Sequence, residues 1–546
     1  MGSFQTPPLG DTVPVAAPVA AASAMTTMIA FVAVGATAAC ITLVIYRLFF
    51  SPLALAGVPG PKIAAITAWY EFYWDCMQQG QYLFKIEQMH QKYGPIVRIN
   101  PWEVHIQDPS YWDVIYTNNK IDKHAWFYRA FGDNRGTVGT GPWDLHRRRR
   151  AAMAKFFSAA NVARLEPKVL ARVQKLLDRV EEFRQADGGQ AVLPISHAFR
   201  CYATDVISDY AAPHTRDFLS SPDFSATFNQ VLRDFSEIML WHRHFPIVFP
   251  IFGAIPRWLI SMMDSTGAQI AVLDNQASLL KQAQIVIATK GIPREKSSPT
   301  VLDAIYTSRV IGPEEKTLPR MMAETQALLG AGTETTGNTL SNLVYNVLSS
   351  KSIRNKLTTE LEKATPTTKS QSDLLDYKTL EKLPYLQACI KEALRLGMGV
   401  VGRLPRVNQN ESMTYTTKPT SDSDSEPKTY TFPPGTVLSM SIIDMHLNSD
   451  IFPEPRRFHP ERWLDCSPTH LRQMEKSFVP FGRGMRGCLG IELAKEELTL
   501  MAGNLFRWFG KNLELFETSE RDVSIAHDYF APFGPKDSKG VRVVVR

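Results

Sequence analysis

The loop from Phe481 to Gly490, Phe-Gly-Arg-Gly-Met-Arg-Gly-Cys-Leu-Gly, restricts the possible folds more than any other segment of the chain. Its glycines at 482, 484 and 487 spell G-x-G-x-x-G, a pattern typical of dinucleotide-binding folds. Such a fold requires a second strand after the helix and an acidic residue about 20 positions further on. No Asp or Glu lies between Glu497 and Glu514, and no second strand is predicted there, so the nucleotide interpretation fails.

Cys488 lies in this glycine turn beside Arg483 and Arg486, directly before a predicted helix at 489–509. The positive end of the helix dipole and the two cations favour a thiolate, which is a soft metal ligand. A cysteine taken alone is more often a small core residue. The other five cysteines show no regular spacing, so they indicate neither a disulfide framework nor a zinc site. The loop pattern, and not the thiol alone, therefore favours a metal site at Cys488.

The composition requires a large globular body. Of 546 residues, 44% are hydrophobic and 21% are charged, which excludes wholesale disorder, a collagen-like fibre and a coiled-coil rod. The net charge of +6 is too small for this length to indicate nucleic-acid binding. We therefore expect no nucleic acid among the partners.

The N-terminal region lacks charge over a long stretch, because residues 12–46 contain no Asp, Glu, Lys, Arg or His. Residues 28–50 have the length and apolarity of a single transmembrane anchor, and residues 1–27 are predicted to be a disordered extracytoplasmic tail. The alternatives are a cleaved signal peptide and a buried core helix, which the missing basic n-region and the long apolar stretch disfavour. Arg47 and Lys62 follow the span, so the positive-inside rule predicts a cytoplasmic location for the rest of the chain.

The remaining chain is predicted to be one mostly α domain with small β-sheets, at residues 63–546, behind a proline-rich linker at 51–62. Hydrophobic residues at helical spacing predict helices near 158–187, 265–290, 319–350, 351–364, 380–396 and 489–509. Short runs of strand-forming residues predict strands at Ile96–Ile99, Val104–Gln107, Val437–Ser441 and Val541–Val545.

The loop residues Phe481, Gly484, Arg486, Cys488 and Gly490 match a known haem-binding loop, which runs Phe, two residues, Gly, one residue, Arg, one residue, Cys, one residue, Gly. The chain thus resembles the haem-thiolate monooxygenases, the cytochrome P450 family, over essentially everything after the anchor. The resemblance implies that Cys488 is the axial ligand of iron in haem b and that Phe481 packs near the thiolate and tunes it. It also implies that Gly484 and Arg486 bind the cofactor.

Two further segments match the family in the order that the family has them. Glu392 and Arg395 lie three residues apart on one helical face, where such a pair is usually a solvated surface bridge. They match the family's E-x-x-R motif, and Arg462 in Phe458-His-Pro-Glu-Arg-Trp463 matches the partner arginine, so the resemblance implies a buried structural triad. It further implies that Arg403 binds a haem propionate, a role that suits a planar guanidinium.

The predicted central helix contains Ala331-Gly-Thr-Glu-Thr-Thr336, a run of residues with little helix propensity. One interpretation is a locally kinked core helix whose hydroxyl groups bond to carbonyls four residues earlier. The segment also resembles the family's oxygen-binding motif. That resemblance implies that Gly332 leaves room for oxygen over the iron, that Thr335 hydrogen-bonds to the oxygen, and that Glu334 relays protons from water.

A basic run, His146-Arg-Arg-Arg-Arg150, is followed by Lys155. Such runs are usually solvated faces or nucleic-acid patches. The family has W-x-x-x-R at this point, which implies that Arg150 and the substituted His146 reach the haem propionates. The excess arginines are predicted to form a basic face for an acidic redox partner. We expect an NADPH-cytochrome P450 reductase, with cytochrome b5 as a further donor, because the sequence shows no flavin or nicotinamide domain.

These features predict a monooxygenase that inserts one oxygen atom from dioxygen into a small apolar substrate, with electrons from NADPH through the reductase. The segments Phe156-Phe-Ser158 and Pro384-Tyr-Leu-Gln-Ala388 resemble fungal secondary-metabolism members, which implies a terpenoid or polyketide-derived substrate. Loops near 120–140, 240–262 and 520–532 are expected to contact it. Two alternatives stay open: a haem-thiolate isomerase or dehydratase that needs no reductase, and a non-catalytic haem sensor. The expected location is the endoplasmic reticulum membrane, with lipid as a partner and the catalytic domain facing the cytosol.

Overall fold

The computed structural model describes residues 17–117, 120–132, 135–213, 216–264, 267–292, 298–365, 373–418 and 426–546. Residues 1–16, the larger part of the predicted tail, lie outside the described residues. Helices predominate and strands are few and short, so the predicted fold class, mostly α with small β-sheets, is confirmed.

Helices of ten or more residues form most of the body, and we number them α1 to α12 in chain order. Their bounds are α1 Ala17–Ile45, α2 Tyr82–Tyr93, α3 Trp143–Ala154, α4 Glu166–Gln185, α5 Ile195–Ala211, α6 Ala226–His244, α7 Ala268–Ala288, α8 Leu318–Ser349, α9 Lys351–Ala364, α10 Pro384–Gly397, α11 Pro468–Ser477 and α12 Ile491–Phe509. Shorter α-helices span Pro52–Leu55, Lys62–Ile66, Trp69–Phe72, Trp112–Tyr116, Ala125–Tyr128, Ala159–Val162, Val248–Ala254, Arg257–Met263, Val301–Thr307, Tyr377–Leu380 and Ile442–His446. The predicted helix at 158–187 is divided into Ala159–Val162 and α4, because Pro167 starts a new helix in its first turn.

Helix α1 begins at Ala17, before the predicted start of the anchor at residue 28, so residues 17–27 are helical where the sequence predicted a disordered tail. Alanine is frequent in this stretch and is the strongest helix former, and Pro18 is tolerated in the first turn. The apolar stretch Met25–Leu55 contains an 18-residue window with a mean hydropathy of 2.5, and no residue of that window is buried. Only the end of the stretch packs against the body, where Leu53 joins a hydrophobic cluster. Among the described residues it is the one helical stretch that is long and apolar enough to cross a membrane.

The strands form one five-stranded sheet and three two-stranded sheets. Their bounds are β1 Ile96–Arg98, β2 Glu103–Ile106, β3 Asp122–Lys123, β4 Arg406–Val407, β5 Met413–Thr416, β6 Thr429–Phe432, β7 Val437–Ser439, β8 Leu513–Leu515, β9 His527–Tyr529, β10 Ala531–Phe533 and β11 Val543–Val545. The larger sheet has the order β1-β2-β7-β4-β3, in which β2 and β7 are parallel and the other neighbours are antiparallel. At the edge of this sheet Lys123 of β3 lies directly opposite Arg406 of β4.

Helix α8 runs through the main hydrophobic core, which it shares with α4, α5, α10 and α12. Leu343 of α8 and both Leu498 and Met501 of α12 are fully buried in it. Phe481 and Leu489 of the cysteine loop pack against the same core. The loop that precedes α12 is therefore held by the core that also holds the central helix.

Candidate functional site

The cysteine loop, residues 481–490, folds into a tight turn directly before α12. Gly482 and Gly484 have φ values of 64° and 69°, in the left-handed region that favours glycine. A Cβ on Gly484 would also clash with the carbonyl oxygen of Tyr116. The Cys488 amide donates to the Phe481 carbonyl at 2.8 Å and closes the turn. The loop therefore presents the cysteine side chain from a constrained backbone.

The Cys488 side chain has exposed surface although protein surrounds it, so it faces an internal space. Burial raises the pKa of its thiol, while the Gly490 amide and the Arg150 guanidinium act in the opposite direction. The sequence predicted a thiolate from the helix terminus and the cations, but without a metal ion the effect of burial on the pKa of the thiol is larger than theirs. A bound metal ion supplies the positive charge that deprotonates a coordinating thiol.

One strip of α8 is open, although the helix lies in the core. Gly330 and Ala331 are exposed, and Thr335 is partly exposed. A Cβ added to Gly330 would meet nothing within 4 Å. The Thr335 hydroxyl donates to the Ala331 carbonyl at 2.7 Å, so the bond four residues back does form, in an unbroken helix. Small side chains thus leave space beside Thr335.

Gly332 does not belong to this open strip. A Cβ at Gly332 would lie 2.9 Å from side-chain atoms of Ile207, so the glycine allows α5 to pack closely on α8. The prediction that Gly332 leaves room for oxygen is therefore wrong. Gly330 and Ala331 are the small residues that border the open strip.

Glu334 forms a buried ion pair with Arg200 of α5. Arg200 donates through Nη2 to Oε1 at 2.7 Å and through Nε to Oε2 at 2.8 Å. Burial acts to lower the pKa of Arg200, but the Glu334 carboxylate holds this pKa above its usual value. Arg200 also lines a polar cavity of about 50 Å³ with Ser196, Asn338 and Asp522. Glu334 is therefore already paired, and Arg200 is a site residue that no sequence motif indicated.

The structure brings Glu392, Arg395 and Arg462 together. Arg395 donates to both carboxylate oxygens of Glu392 at 2.8 Å, and neither side chain is exposed. Arg462 Nε lies 3.3 Å from the same carboxylate, and Trp463 Nε1 donates to it at 2.9 Å. These contacts join α10 to the segment that contains Arg462.

A neutral histidine links this triad to the cysteine loop. His446 Nδ1 donates to the Arg395 carbonyl at 3.0 Å, and its Nε2 accepts from the Val479 amide at 3.0 Å. Burial, together with the charge of Arg395, lowers the pKa of His446 to about 3, so the ring can donate at one nitrogen and accept at the other. Val479 lies two residues before the loop, so the triad supports its start.

Lys123, His146, Arg150, Arg406 and Arg486 form what we call the basic cluster. Lys123 and Arg406 are direct cross-strand neighbours, a placement that is normally destabilising for like charges. Burial, reinforced by the charges of Arg406, Arg486 and Arg150, lowers the pKa of Lys123 well below its usual value. These neighbours therefore repel each other unless an anion lies between them.

His146 and Arg150 reach the basic cluster from α3, where they lie one turn apart, and Arg486 reaches it from the cysteine loop. Arg150 also donates to the Gly487 carbonyl at 2.7 Å. Burial and the neighbouring cations lower the pKa of His146 to about 2. His146 Nδ1 and Arg486 Nε are buried without a hydrogen-bond partner. Asp122 is the carboxylate whose charge reaches Arg486, so the cluster retains an excess of positive charge.

Arg403 lies in a different network. Its Nε donates to Glu103 at 2.8 Å, its other end binds Glu71, and all three side chains are buried. Burial acts to lower the pKa of Arg403, but these carboxylates hold this pKa well above its usual value. The prediction that Arg403 binds a haem propionate is therefore wrong, since protein carboxylates already occupy it. Of the two arginines in the segment Arg403-Leu-Pro-Arg406, Arg406 is the one that belongs to the basic cluster.

The basic run on α3 divides between two environments. Arg149 is buried and donates to both oxygens of Glu315, at 2.7 and 2.9 Å. Arg147 and Arg148 are exposed, as is Lys155 directly after the helix. The prediction of a continuous basic face is therefore wrong for Arg149, because this side of α3 packs inward.

Two of the predicted substrate loops meet through aromatic rings. Phe131 and Phe530 contact edge to face, with centroids 4.8 Å apart and planes at 85°. Phe530 has a φ of 75°, a conformation that costs energy for an aromatic residue and is often found at functional sites. The loops near 120–140 and 520–532 therefore come together as an apolar pair.

The sequence motifs did not indicate three residues that the structure places at the candidate site, namely Lys123, Arg200 and Arg406. Arg406 carried a usable signal, because it shares its short segment with the arginine that was predicted. Lys123 and Arg200 lie in none of the motifs. The register of β3 on β4 brings the first to the site, and the packing of α5 on α8 brings the second.

Comparison with known proteins identifies relatives over almost the whole chain. The model of the family described as Cytochrome P450 matches residues 65–523. Cytochrome P450 monooxygenase sdnE of Sordaria araneosa is 40% identical over 92% of this chain and 95% of its own. Tryptophan 6-hydroxylase fscE of Fusarium equiseti is 36% identical over 93% and 95%, respectively. Fusicoccadiene C-8 hydroxylase of Phomopsis amygdali is 36% identical over the same shares, 93% and 95%.

These relatives are fungal and are named as monooxygenases or hydroxylases. They confirm the predicted resemblance to fungal members and the predicted enzyme class, a monooxygenase among the oxidoreductases. The matched residues 65–523 include the cysteine loop, the triad, the central helix segment and the basic cluster. The chain belongs to the cytochrome P450 family.

Proposed function

We propose that this chain is a membrane-anchored monooxygenase that uses haem b to insert one oxygen atom from dioxygen into a small apolar molecule. Electrons would come from NADPH through a separate reductase. The observation that carries this proposal is that the Cys488 thiol and the basic cluster lie at the same loop. An iron porphyrin matches both, because its iron can be bound by the thiol and its two carboxylates by the basic cluster.

The described residues fit that group. Cys488 would bind the iron, and Lys123, Arg150 and Arg406 would face the propionates. The unpartnered Nε–H of Arg486 is a donor for a carboxylate, and a neutral His146 can carry its proton on Nδ1. An anion in the basic cluster would relieve the repulsion between its cations.

Bound haem supplies one-electron redox chemistry and activates dioxygen at its iron. The residues of α8 would position the other reactants. Gly330 and Ala331 leave space on the open strip, and Thr335 gives its own proton to the Ala331 carbonyl. The Thr335 oxygen therefore keeps lone pairs with which it can hold a proton donor in that space.

Protons would reach the site through Glu334. Both Glu334 oxygens are occupied by Arg200, so the carboxylate can carry a proton only after this ion pair opens. The polar cavity beside Arg200, about 50 Å³, has room for a few water molecules. We propose that Glu334 alternates between Arg200 and the open strip, and thereby connects this water with Thr335.

The exposed cations Arg147, Arg148 and Lys155 support docking of an acidic redox partner. The same helix carries His146 and Arg150 into the basic cluster, so a partner bound there would lie close to the cofactor. The proposed partner is NADPH-cytochrome P450 reductase, with cytochrome b5 as a further donor. Helix α1 supports a single-pass membrane anchor. Arg47 and Lys62, which follow the uncharged run, favour a domain that faces the cytosol, and the membrane that we propose is the endoplasmic reticulum.

For the substrate we propose a terpenoid or polyketide-derived apolar metabolite. The names of two relatives with equal identity give chemically different substrates, tryptophan and fusicoccadiene, so identity alone selects neither. The edge-to-face pair of Phe131 and Phe530 at two predicted substrate loops favours an apolar ligand. An isomerase, a dehydratase or a haem sensor remains the competing proposal, and the following experiments separate them.

Arg406→Gln should weaken haem retention, because it removes one cation from the basic cluster. Transfer of haem to apomyoglobin should become roughly tenfold faster, which corresponds to one charge-assisted hydrogen bond. Arg403→Gln should instead lower Tm, because it leaves Glu71 and Glu103 buried without their partner, at a cost of about 3–5 kcal/mol.

Arg309→Gln, an equal charge change at an exposed residue, is the control for both variants. The two assignments would be reversed if Arg403→Gln released haem at an unchanged Tm while Arg406→Gln retained it.

Cys488→Ser should abolish the reduced carbon monoxide spectrum that is typical of a thiolate ligand, even where haem is retained, because a serine hydroxyl is a poor substitute for a thiolate. Cys466→Ser, at a partly exposed cysteine, should leave the spectrum unchanged. A normal spectrum in Cys488→Ser would remove Cys488 from the metal site.

Thr335→Ala should preserve haem and substrate binding but divert electrons from NADPH to hydrogen peroxide, because the proton donor loses its acceptor. Thr335→Ser should restore coupling, since the hydroxyl remains. Thr339→Ala is the matched control, because Thr339 makes the same bond four residues back but is buried. An isomerase or a sensor would consume no NADPH with any of these variants, so unchanged coupling or absent NADPH use would contradict the proposed role.

Arg147→Glu combined with Arg148→Glu should slow reduction by the reductase several-fold, because electrostatic steering depends on exposed charges. The rate for the unmodified chain should fall as salt rises, since screening acts over about 8 Å at physiological ionic strength. The measurement is stopped-flow reduction under carbon monoxide, compared with peroxide-driven turnover that bypasses the reductase.

Lys92→Glu with Arg309→Glu provides the same change in net charge at exposed residues of other segments. Equal losses in reductase-driven and peroxide-driven turnover would mean that Arg147 and Arg148 support the haem pocket, and a flat salt series would place docking elsewhere.

A further inference from the structure

A second cavity, of about 220 Å³, lies between α2, the end of β2 and the short helix Ile442–His446. It shares no lining residue with the cysteine loop, the basic cluster or the open strip of α8. Four aliphatic side chains contribute to its wall: Leu83, Ile86, Ile443 and Leu447. The cavity is smaller than a typical pocket for a drug-sized ligand, so it suits a small molecule.

The charge of this cavity is one-sided. Glu87, Asp444 and Asp450 line it, and no lysine or arginine occurs among its described lining residues. Asp444 is the deepest of the three, with 8% of its side chain exposed. Its Oδ1 accepts from Gln107 at 2.8 Å, whereas its Oδ2 is buried and has no hydrogen-bond partner. A carboxylate oxygen in this position costs free energy unless a donor or a cation reaches it.

The Nε2 atom of His105 lies close to this oxygen, but it carries no proton that it could donate to it. His90 Nδ1 faces the Gly94 carbonyl at 2.8 Å and must donate to it, so His90 Nε2 accepts from His105 Nδ1, also at 2.8 Å. His105 Nε2 is then an acceptor, and the Ser441 hydroxyl donates to it at 3.1 Å. Burial lowers the pKa of His90 to about 4 and that of His105 well below its usual value, so both rings stay neutral.

The 3.7 Å separation between His105 Nε2 and Asp444 Oδ2 is therefore not an ion pair. Asp444 also has a structural role, because it lies in the first turn of Ile442–His446 and interacts with the Ser441 backbone. The geometry still leaves Oδ2 without a hydrogen-bond partner. Burial accordingly raises the pKa of Asp444 to about 7, which is the response of a carboxyl group without a counter-ion.

The ligand class follows from the shape of the wall. A bare divalent cation needs several converging ligands, and among the described residues the group of three acidic or histidine side chains that converges within 4.8 Å is Glu71, Asp75 and His244, elsewhere in the protein. An organic cation needs one anchoring carboxylate and an apolar wall for its chain. Asp444 and the four aliphatic side chains provide these.

We propose that this cavity binds a small primary alkylammonium ion, with its ammonium group at Asp444, assisted by Glu87, and its alkyl chain against Leu83, Ile86, Ile443 and Leu447. The ammonium group supplies the hydrogen-bond donor and the charge that Asp444 lacks. The site is separate from the haem chemistry, so its occupation does not depend on the function proposed above.

The test is isothermal titration of the full-length, haem-loaded protein with n-butylammonium at neutral pH. We expect a Kd of about 1 mM or tighter, the range that one charged contact and a short buried chain can support. Asp444→Asn should weaken binding at least tenfold. Asp465→Asn, an equal charge change at an exposed residue, should leave the Kd unchanged. The Soret band, recorded in the same titration, identifies any amine that coordinates the iron instead.

The uncharged analogue 1-butanol separates recognition of charge from simple filling of an apolar cavity, and we expect no measurable binding of it. Equal affinity in Asp444→Asn, equal affinity for 1-butanol, or no binding of n-butylammonium up to about 10 mM would overturn the proposal. If Asp444→Asn does not fold, Glu87→Gln takes its place, and a Kd unchanged in that variant counts against the proposal in the same way.

Discussion

Glu392 and Arg395 form an ion pair without solvent exposure. The segments around Trp463 and His446 are hydrogen-bonded to this pair directly, and the segment around Val479 reaches it through His446. Glu392 accepts from Trp463, Arg395 donates to the His446 carbonyl, and His446 in turn accepts from Val479. A buried charge pair is stable only when hydrogen bonds satisfy its remaining donors and acceptors, and loss of one partner costs about 3–5 kcal/mol. This cost gives α10, the segment around Trp463 and the start of the cysteine loop one mutual arrangement. The position of Cys488 depends on that arrangement.

The central helix depends on a second constraint, the close approach of α5. A Cβ at Gly332 would contact Ile207 at 2.9 Å, and a Cβ at Gly337 would contact Arg200 Cγ at 2.7 Å. The two glycines therefore let α5 lie near enough for the Arg200 guanidinium to reach Glu334. Glycine is usually unfavourable within a helix, so its use here indicates that this packing outweighs propensity. The same contact that stabilises the helix pair also controls the acidic residue of the proposed proton route.

The sequence could predict the parts of the site that depend on local backbone. The cysteine loop is a short pattern of glycines, and Glu392 with Arg395 lie on one helical face, so spacing alone indicates where they belong. The fold class and the family follow from the same patterns. Which of Arg403 and Arg406 faces the basic cluster depends instead on the pairing of β4 with β3, between residues far apart in the chain. Spacing within the segment contains no information about that register.

Helix packing accounts for the other differences between the predicted site and the structure, at Arg149 and Gly332. The inward side of α3 is set by Glu315, which accepts from Arg149, although the two residues are 166 positions apart in the sequence. A run of four arginines looks uniform in the sequence, although on a helix its members point in different directions. Gly332 likewise could face the open strip or the neighbouring helix, and only the position of Ile207 decides between them. Rotation of a helix about its axis is a tertiary property.

Buried charges in this protein divide into those with protein partners and those without. Arg403 has the carboxylates of Glu71 and Glu103 within hydrogen-bond distance, and Arg149 has that of Glu315, so these arginines contribute to the fold and have no capacity for a ligand. The basic cluster and Asp444 have the opposite property, since an unpartnered polar atom remains in each. Burial makes such an atom costly for the protein alone and correspondingly favourable for a ligand of opposite charge. The sign of the unmatched charge thus separates the proposed anion-binding region at the cysteine loop from the proposed cation-binding cavity beside α2.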